Sequence, residues 1–169
     1  MKQEQPKRKA TRLQGFDYNS VGAYFITICT ENRRQILSHI VGGDVLDAPR
    51  IALTSYGKIA DRYMRQLDDF YENITVDEYV IMPNHIHLML SVLENGASRT
   101  SPPTTRQHTV VSQFVSTFKR FCNKAYGGNI WQRQFNDHII RNREDYEKHL
   151  TYIVENPFRW RDDELYFEE

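Results

Sequence analysis

Apolar and polar positions repeat along this chain with two periods, and each period predicts a different element. Residues 23–30 (Ala-Tyr-Phe-Ile-Thr-Ile-Cys-Thr) are aromatic and β-branched, which predicts a strand entered through the Asn-Ser-Val-Gly turn before it. Loops are marked by Gly42-Gly43 and by Asp47-Ala48-Pro49, with a short strand expected over residues 50–53. Thr54 or Ser55 can cap a helix that runs to about Asp69, with Ile59, Tyr63 and Leu67 on one apolar stripe. Residues 74–82 and 85–92 predict two strands joined by Pro83-Asn84 as a hairpin. Residues 94–107 are small, polar and proline-bearing, and predict a flexible loop. Helical spacing returns over residues 110–125 at Val111, Phe114, Val115, Phe118 and Cys122, and Gly127-Gly128 stops it. A short strand is expected over residues 135–141. Asn142 then caps a last helix, with Glu144 and Asp145 in its first turn, running to Asn156 and ended by Pro157. No internal repeat is visible.

At 169 residues the chain is long enough for one domain with a real core. No stretch approaches the ~20 apolar residues of a membrane span, and the N-terminus lacks an apolar signal core, so the expected location is the cytoplasm. Cys29 and Cys122 sit inside apolar periodic segments and read as buried free thiols of a reducing compartment. Net charge is zero, which argues against a generic polyanion binder, but the charges are not evenly spread. Residues 1–12 form a basic arm with Lys2, Lys7, Arg8, Lys9 and Arg12 against Glu4, and residues 161–169 form an acidic tail. Between Arg106 and Arg143 stand seven bases and one acid, Asp137, with aromatics interleaved. Such a segment reads equally as a nucleic-acid surface or as a solvated helix face over ordinary core aromatics.

Candidate chemistry centres on Met-Pro-Asn-His-Ile-His-Leu-Met-Leu at residues 82–90. On a strand His85 and His87 project to one side, while Ile86, Leu88 and Leu90 point to the other and can bury. Two imidazoles side by side are half of a metal site; taken alone, the pair reads more readily as two histidines that bind nothing. On the last helix Tyr152 and Asn156 lie four residues apart, hence on one face. An amide oxygen added to two imidazoles makes a mixed N/O site suited to Mn²⁺ or Mg²⁺, with positions left open for phosphate oxygens. A tyrosine beside such a cation is a reasonable nucleophile toward a phosphodiester.

Several stretches together resemble the single-tyrosine HUH transposases, most closely the REP-associated tyrosine transposase branch. They are Asp-Tyr at 17–18, Gly-Ala-Tyr-Phe-Ile-Thr-Ile-Cys-Thr at 22–30, Met-Pro-Asn-His-Ile-His at 82–87, Phe-Lys-Arg at 118–120, Ile-Trp-Gln-Arg at 130–133, His-Ile-Ile-Arg-Asn at 138–142 and Tyr-Ile-Val-Glu-Asn-Pro at 152–157. The resemblance spans roughly residues 12–160, with the motifs in the family's order. It implies an α+β fold in which a small antiparallel sheet is flanked by helices, RRM-like or ferredoxin-like. It implies that residues 13–160 form the catalytic domain, that His85 and His87 are metal ligands, and that Tyr152 is the nucleophile. Asn156 takes the third-ligand position, where insertion-sequence relatives often carry glutamine. The implied activity is metal-dependent nicking and joining of single-stranded DNA bearing hairpins, through a 5′-phosphotyrosine link, with Mg²⁺ or Mn²⁺ as cofactor. Arg12, Lys119, Arg120, Lys124, Arg133 and Arg141 are the candidate DNA contacts, and a homodimer is the expected assembly. Lys148 and His149 read as solvent or scaffold residues; His138 and Trp131 are open between core packing and DNA contact. Two competing readings are a non-catalytic nucleic-acid binder of the same fold and an unrelated metal hydrolase, which would need a carboxylate such as Asp77 or Glu78.

Overall fold

A computed structural model describes residues 20–42, 48–94 and 109–166. The expected basic arm with Arg12, nearly all of the expected 94–107 loop and the last residues of the acidic tail lie outside them. Among the described residues, six strands and three α-helices follow in the order β1 (Gly22–Cys29), β2 (Ser38–Val41), β3 (Arg50–Leu53), α1 (Ser55–Phe70), β4 (Ile74–Ile81), β5 (His85–Val92), α2 (Val110–Tyr126), β6 (Asn136–Ile139) and α3 (Arg143–Glu155). The main sheet is antiparallel in the order β4-β5-β1-β6, and β2 pairs with β3 as a separate ribbon. This is the expected α+β arrangement of an antiparallel sheet flanked by helices. Among the described residues no helix is long and apolar enough to cross a membrane.

The two central strands are buried on both faces, which is why β5 reads as a nearly unbroken apolar run. One face carries Tyr24, Ile26, Ile28, Ile86, Leu88 and Leu90, packed against α1 and α2 through Ala60, Met64, Phe114 and Phe118. Each such large side chain contributes about 1.5–3 kcal/mol by leaving water. The opposite face is covered by α3 and the turn after it, where Ile153 and Trp160 join Val80, Met82 and Met89 in a second cluster. His85 and His87 belong to this second face, so the metal-site candidates sit beneath α3 and the first face is left wholly to packing.

The expected caps are in place: Gly57 N donates to Thr54 Oγ1 at 3.2 Å and Asp145 N to Asn142 Oδ1 at 2.9 Å. Gly127 closes α2 in a left-handed conformation at φ 76°. The stripe of α1 is turned slightly from the expected one. Gly57, Ala60, Met64 and Leu67 are its buried positions, and Ile59 and Tyr63 are half-buried flanks. Gly57 is needed there, because a Cβ would fall 2.1 Å from the Leu37 carbonyl oxygen.

Two features depart from the sequence reading. The strand β2 carries Ser-His-Ile-Val, too short and mixed to show a period, and forms only because β3 pairs with it. Pro157 does not end the helical path. The chain continues past α3 as a 3₁₀ turn over Asn156–Asp162 with the proline in its first positions, where its missing N–H has no helical partner to lose. That turn carries Trp160 and Asp163 back onto the sheet.

Candidate active site

β5 pairs antiparallel with β1, which sets His85 opposite Cys29 and His87 opposite Thr27. The two imidazole rings lie 4.3 Å apart between centroids and both are buried. Each is oriented through Nδ1. The His85 Nδ1–H donates to Asn84 Oδ1 at 2.7 Å, and the Asn84 amide is itself held by donating to the Leu165 carbonyl at 2.8 Å. His87 Nδ1 is 2.8 Å from Thr27 Oγ1; with the proton on Nδ1 it donates to that hydroxyl and leaves Nε2 as a free lone pair. A ligating histidine uses this same division of labour, one nitrogen for the metal and the other for a fixed partner.

Both Nε2 atoms are buried without a partner, and so is Asn156 Oδ1. A buried unsatisfied polar atom costs roughly 1–3 kcal/mol, so the two neighbouring Nε2 atoms and the Asn156 oxygen each need an explanation. All three are lone-pair donors, the kind of atom that a cation can satisfy. Burial, with Arg33 adding to it, lowers the His85 pKa to about 3. Burial followed by the charge of His85 holds His87 well below its ordinary value. Both rings are therefore neutral at physiological pH, the form that ligates.

Asp163 completes the cluster. One ligand atom each from His85, His87 and Asp163 lie within 4.8 Å of one another, a grouping able to hold a metal ion. The Tyr152 hydroxyl donates to Asp163 Oδ2 at 2.9 Å, and Asn156 Nδ2 donates to the same oxygen at 2.8 Å. The Tyr152 ring packs against His87 at 5.2 Å and Phe25 at 5.9 Å, yet the residue is 38% exposed and open to a substrate. Burial, then the hydrogen bond to Asp163 and its charge, raise the Tyr152 pKa well above the usual phenol value. The phenol therefore keeps its proton at rest.

His85, His87, Tyr152 and Asn156 are thus brought together as expected, and Asp163 is the member that sequence reasoning missed. It lies in a run read as an acidic tail, and only the turn through Pro157 folds it inward. Asp77 and Glu78, the carboxylates considered for a hydrolase, do not reach the histidines. Asp77 Oδ2 accepts from Ser91 Oγ at 2.6 Å and Tyr146 OH at 3.0 Å, while Glu78 Oε1 accepts from the Tyr79 N–H at 3.0 Å. Asn84 and Thr27, the orienting partners, carried a signal only in their places beside and across from the histidines.

The basic candidates divide. Lys119 is half-buried and donates to the carbonyls of Gln132 at 2.9 Å, Gln134 at 3.0 Å and Arg133 at 3.5 Å. Burial lowers its pKa to about 8. Its ammonium staples the loop after Trp131, a structural role beside the DNA contact expected of it. Arg120, Lys124, Arg133 and Arg141 are exposed. Arg120 and Lys124 lie on α2, behind the sheet from the histidines. Arg133 lies in the loop that Gln132 N ties to Cys29 O at 2.9 Å, at the His85 end of the sheet, and Arg141 immediately precedes the cap of α3.

No protein-family model matches the chain. An uncharacterized protein of Haemophilus influenzae is 30% identical over 173 residues, covering 94% of this chain and 93% of that one. Two further proteins carry REP-associated tyrosine transposase in their names. One, from Haemophilus influenzae, is 29% identical over 146 residues (85% of this chain, 74% of that protein). The other, from Escherichia coli K12, is 25% identical over 142 residues (84% and 70%). The solved structure of a REP-associated tyrosine transposase bound to a REP hairpin shares the fold, with a TM-score of 0.57 at 23% identity over 82% of this chain and 68% of that one. With the ordered motifs, and with two proteins of that name matching 84% and 85% of its length, the chain is a relative of the REP-associated tyrosine transposases.

Proposed function

We propose that this protein nicks and rejoins single-stranded DNA bearing hairpins, with Tyr152 as nucleophile and a divalent cation as cofactor. One observation carries the reading. The Tyr152 phenol stands over a pocket where His85 Nε2, His87 Nε2 and Asn156 Oδ1 are all buried without partners. These three atoms, with Asp163, would hold the cation. Their hard, mixed N/O character suits Mg²⁺ or Mn²⁺, and when bound such an ion withdraws charge from the scissile phosphate.

The chain's own residues do the rest. Phe25 and His87 fix the tyrosine ring, so the phenol oxygen can approach phosphorus in line with the leaving 3′ oxygen. The P–O3′ bond breaks as the tyrosine O–P bond forms, giving a 5′-phosphotyrosine and a 3′ oxygen that takes a proton from water to become a free hydroxyl. Asp163 already accepts the phenol hydrogen bond and is the group on hand to take the phenol proton. Because the phenol is protonated at rest, its proton leaves as the attack proceeds. The reverse reaction rejoins strands without ATP, since the phosphotyrosine conserves the bond. The catalytic unit, read as residues 13–160, gains Asp163 from the segment read as a tail. A relative captured on a REP hairpin supports a hairpin partner, with Arg133 and Arg141 as the phosphate contacts nearest the site.

Covalent trapping tests this. Labelled single-stranded hairpin oligonucleotides, including sequences flanking the gene, are incubated with the protein and Mn²⁺ or Mg²⁺ and run on a denaturing gel. A protein-linked label that needs the cation and disappears in Tyr152→Phe and His85→Ala is the expected result. Retardation on a native gel with no covalent species across the panel would replace the enzyme with a non-catalytic binder of the same fold.

A further inference from the structure

A ladder of flat rings leads away from the tyrosine to the edge of the sheet, and the cleavage step leaves its outer end unused. Phe25 on β1 pairs across the sheet with His138 on β6, the edge strand. His149 reaches down from α3, one turn before Tyr152. The Phe25 ring stacks on His87 at 5.1 Å and meets His149 at 4.8 Å, tilted by 47°. His149 in turn stacks on His138 at 4.5 Å with 20° between the planes. Asp145 holds the outer two rings. Its carboxylate accepts from His138 Nε2 at 2.9 and 3.1 Å, and His149 Nδ1 lies 3.1 Å from Oδ1 and donates to the Asp145 carbonyl at 2.8 Å. The carboxylate is fixed by the Arg141 N–H at 3.0 Å. The His138 side chain is 42% exposed, against 18% for both Asp145 and His149.

The nitrogens and oxygens of His138, Asp145 and His149 gather closely enough to suggest a second metal ion. Their hydrogen bonds argue against it. The nitrogens that face Asp145 already donate hydrogen bonds, His138 Nε2 to its carboxylate and His149 Nδ1 to its carbonyl, so neither offers a free lone pair to an ion there. What the arrangement does supply is an aromatic face pinned by hydrogen bonds at an open edge, so little side-chain freedom is lost when something stacks on it.

We propose that the exposed face of His138 is a stacking platform for an unpaired nucleobase of the strand whose phosphate lies at Tyr152. The inference rests on the single-stranded DNA reading above and adds where a flanking base is held. Continuity with the phenol points to this occupant: the ladder begins at Phe25, in contact with Tyr152, and a strand whose phosphate lies at Tyr152 can lay a neighbouring unpaired base on the ring where the ladder ends. Arg141, exposed at the turn between β6 and α3, is placed to meet the backbone of the same strand. Stacking on an aromatic ring is tolerant of base identity, which suits a position that fixes geometry without reading sequence.

The test uses the full chain and a hairpin oligonucleotide with a thymidine flank carrying one 2-aminopurine, moved position by position. Fluorescence reports stacking, and anisotropy of a distant dye reports binding independently. Quenching confined to one or two flank positions is expected, with an abasic nucleotide there weakening binding by about tenfold. His138→Gln, which keeps a hydrogen bond to Asp145 but has no ring, should lose the quenching and the abasic penalty. His138→Phe, which keeps the ring, should retain both. Oligonucleotide binding with no position-specific quenching, or equal quenching in His138→Gln, overturns the platform while leaving the DNA reading intact. A wild-type chain that binds none of the oligonucleotides overturns the DNA reading and the platform with it. Stoichiometric Zn²⁺ binding that survives His85→Ala and disappears in His138→Gln would also overturn it, by assigning the rings to a metal.

Discussion

Adding a divalent cation should stabilise the folded protein, and the size and pH dependence of that effect follow from the pocket. Three buried acceptors lack partners, each a cost of roughly 1–3 kcal/mol that a cation can relieve. A ligand at a hundred times its dissociation constant stabilises the native state by about 2.7 kcal/mol. For a chain of this length each kcal/mol corresponds to about 2–4 °C, so Mn²⁺ should raise the melting temperature by about 5–10 °C over a chelator control. Tyr152→Phe should keep the rise and His85→Ala should lose it. The pH profile sharpens the test. Because the His85 pKa is lowered to about 3 and His87 is also held far down, protons do not compete with the cation between pH 8 and about 5, and the rise should stay flat there. An exposed pair titrating near ~6.5 would lose it below that pH. The metal-free protein behaves differently. Its histidines have folded pKa values below the unfolded ones, so their contribution is present above about 6.5 and is lost progressively as pH falls below it. No cation-dependent shift in differential scanning fluorimetry, or an equal shift in His85→Ala, would refute the metal pocket.

Other substitutions separate orientation from packing. Asn84→Ala removes the acceptor that aims His85, so apparent Mn²⁺ affinity, read by calorimetric titration, should fall about 10–100-fold while the fold persists. Lys119→Met should destabilise the protein by about 1–3 kcal/mol in urea unfolding, because three carbonyls of the 132–134 loop lose their donor. Its DNA affinity should change little in salt dependence, unlike that of Arg133→Ala, whose slope in a binding titration should drop by about one counterion. Gly57→Ala forces a methyl to 2.1 Å from the Leu37 carbonyl oxygen and should cost about 1–3 kcal/mol by the same unfolding assay.

Much of this molecule is local enough to read along the chain. The period of 2 in residues 85–90 already separates the His85–His87 face from the Ile86–Leu88–Leu90 core, because a strand offers no other way to divide them. The four-residue step from Tyr152 to Asn156 places both on one helix face for the same reason. Caps at Thr54 and Asn142 and the glycine stop at Gly127 are short-range hydrogen-bond and sterics problems, solved by the residues that pose them. What tertiary structure decided is where charge ends up. Lys119 looks like any helix-surface base until the 132–134 loop lays its carbonyls over it, and Asp163 looks like any acid in a solvated tail. Whether an acid or base faces water or a pocket depends on chain segments far away in sequence, which pattern does not encode. The 3₁₀ turn past Pro157 brings Asp163 to Tyr152 and Asn156, and the packing of α3 on the sheet brings that helix to the histidines some seventy residues earlier.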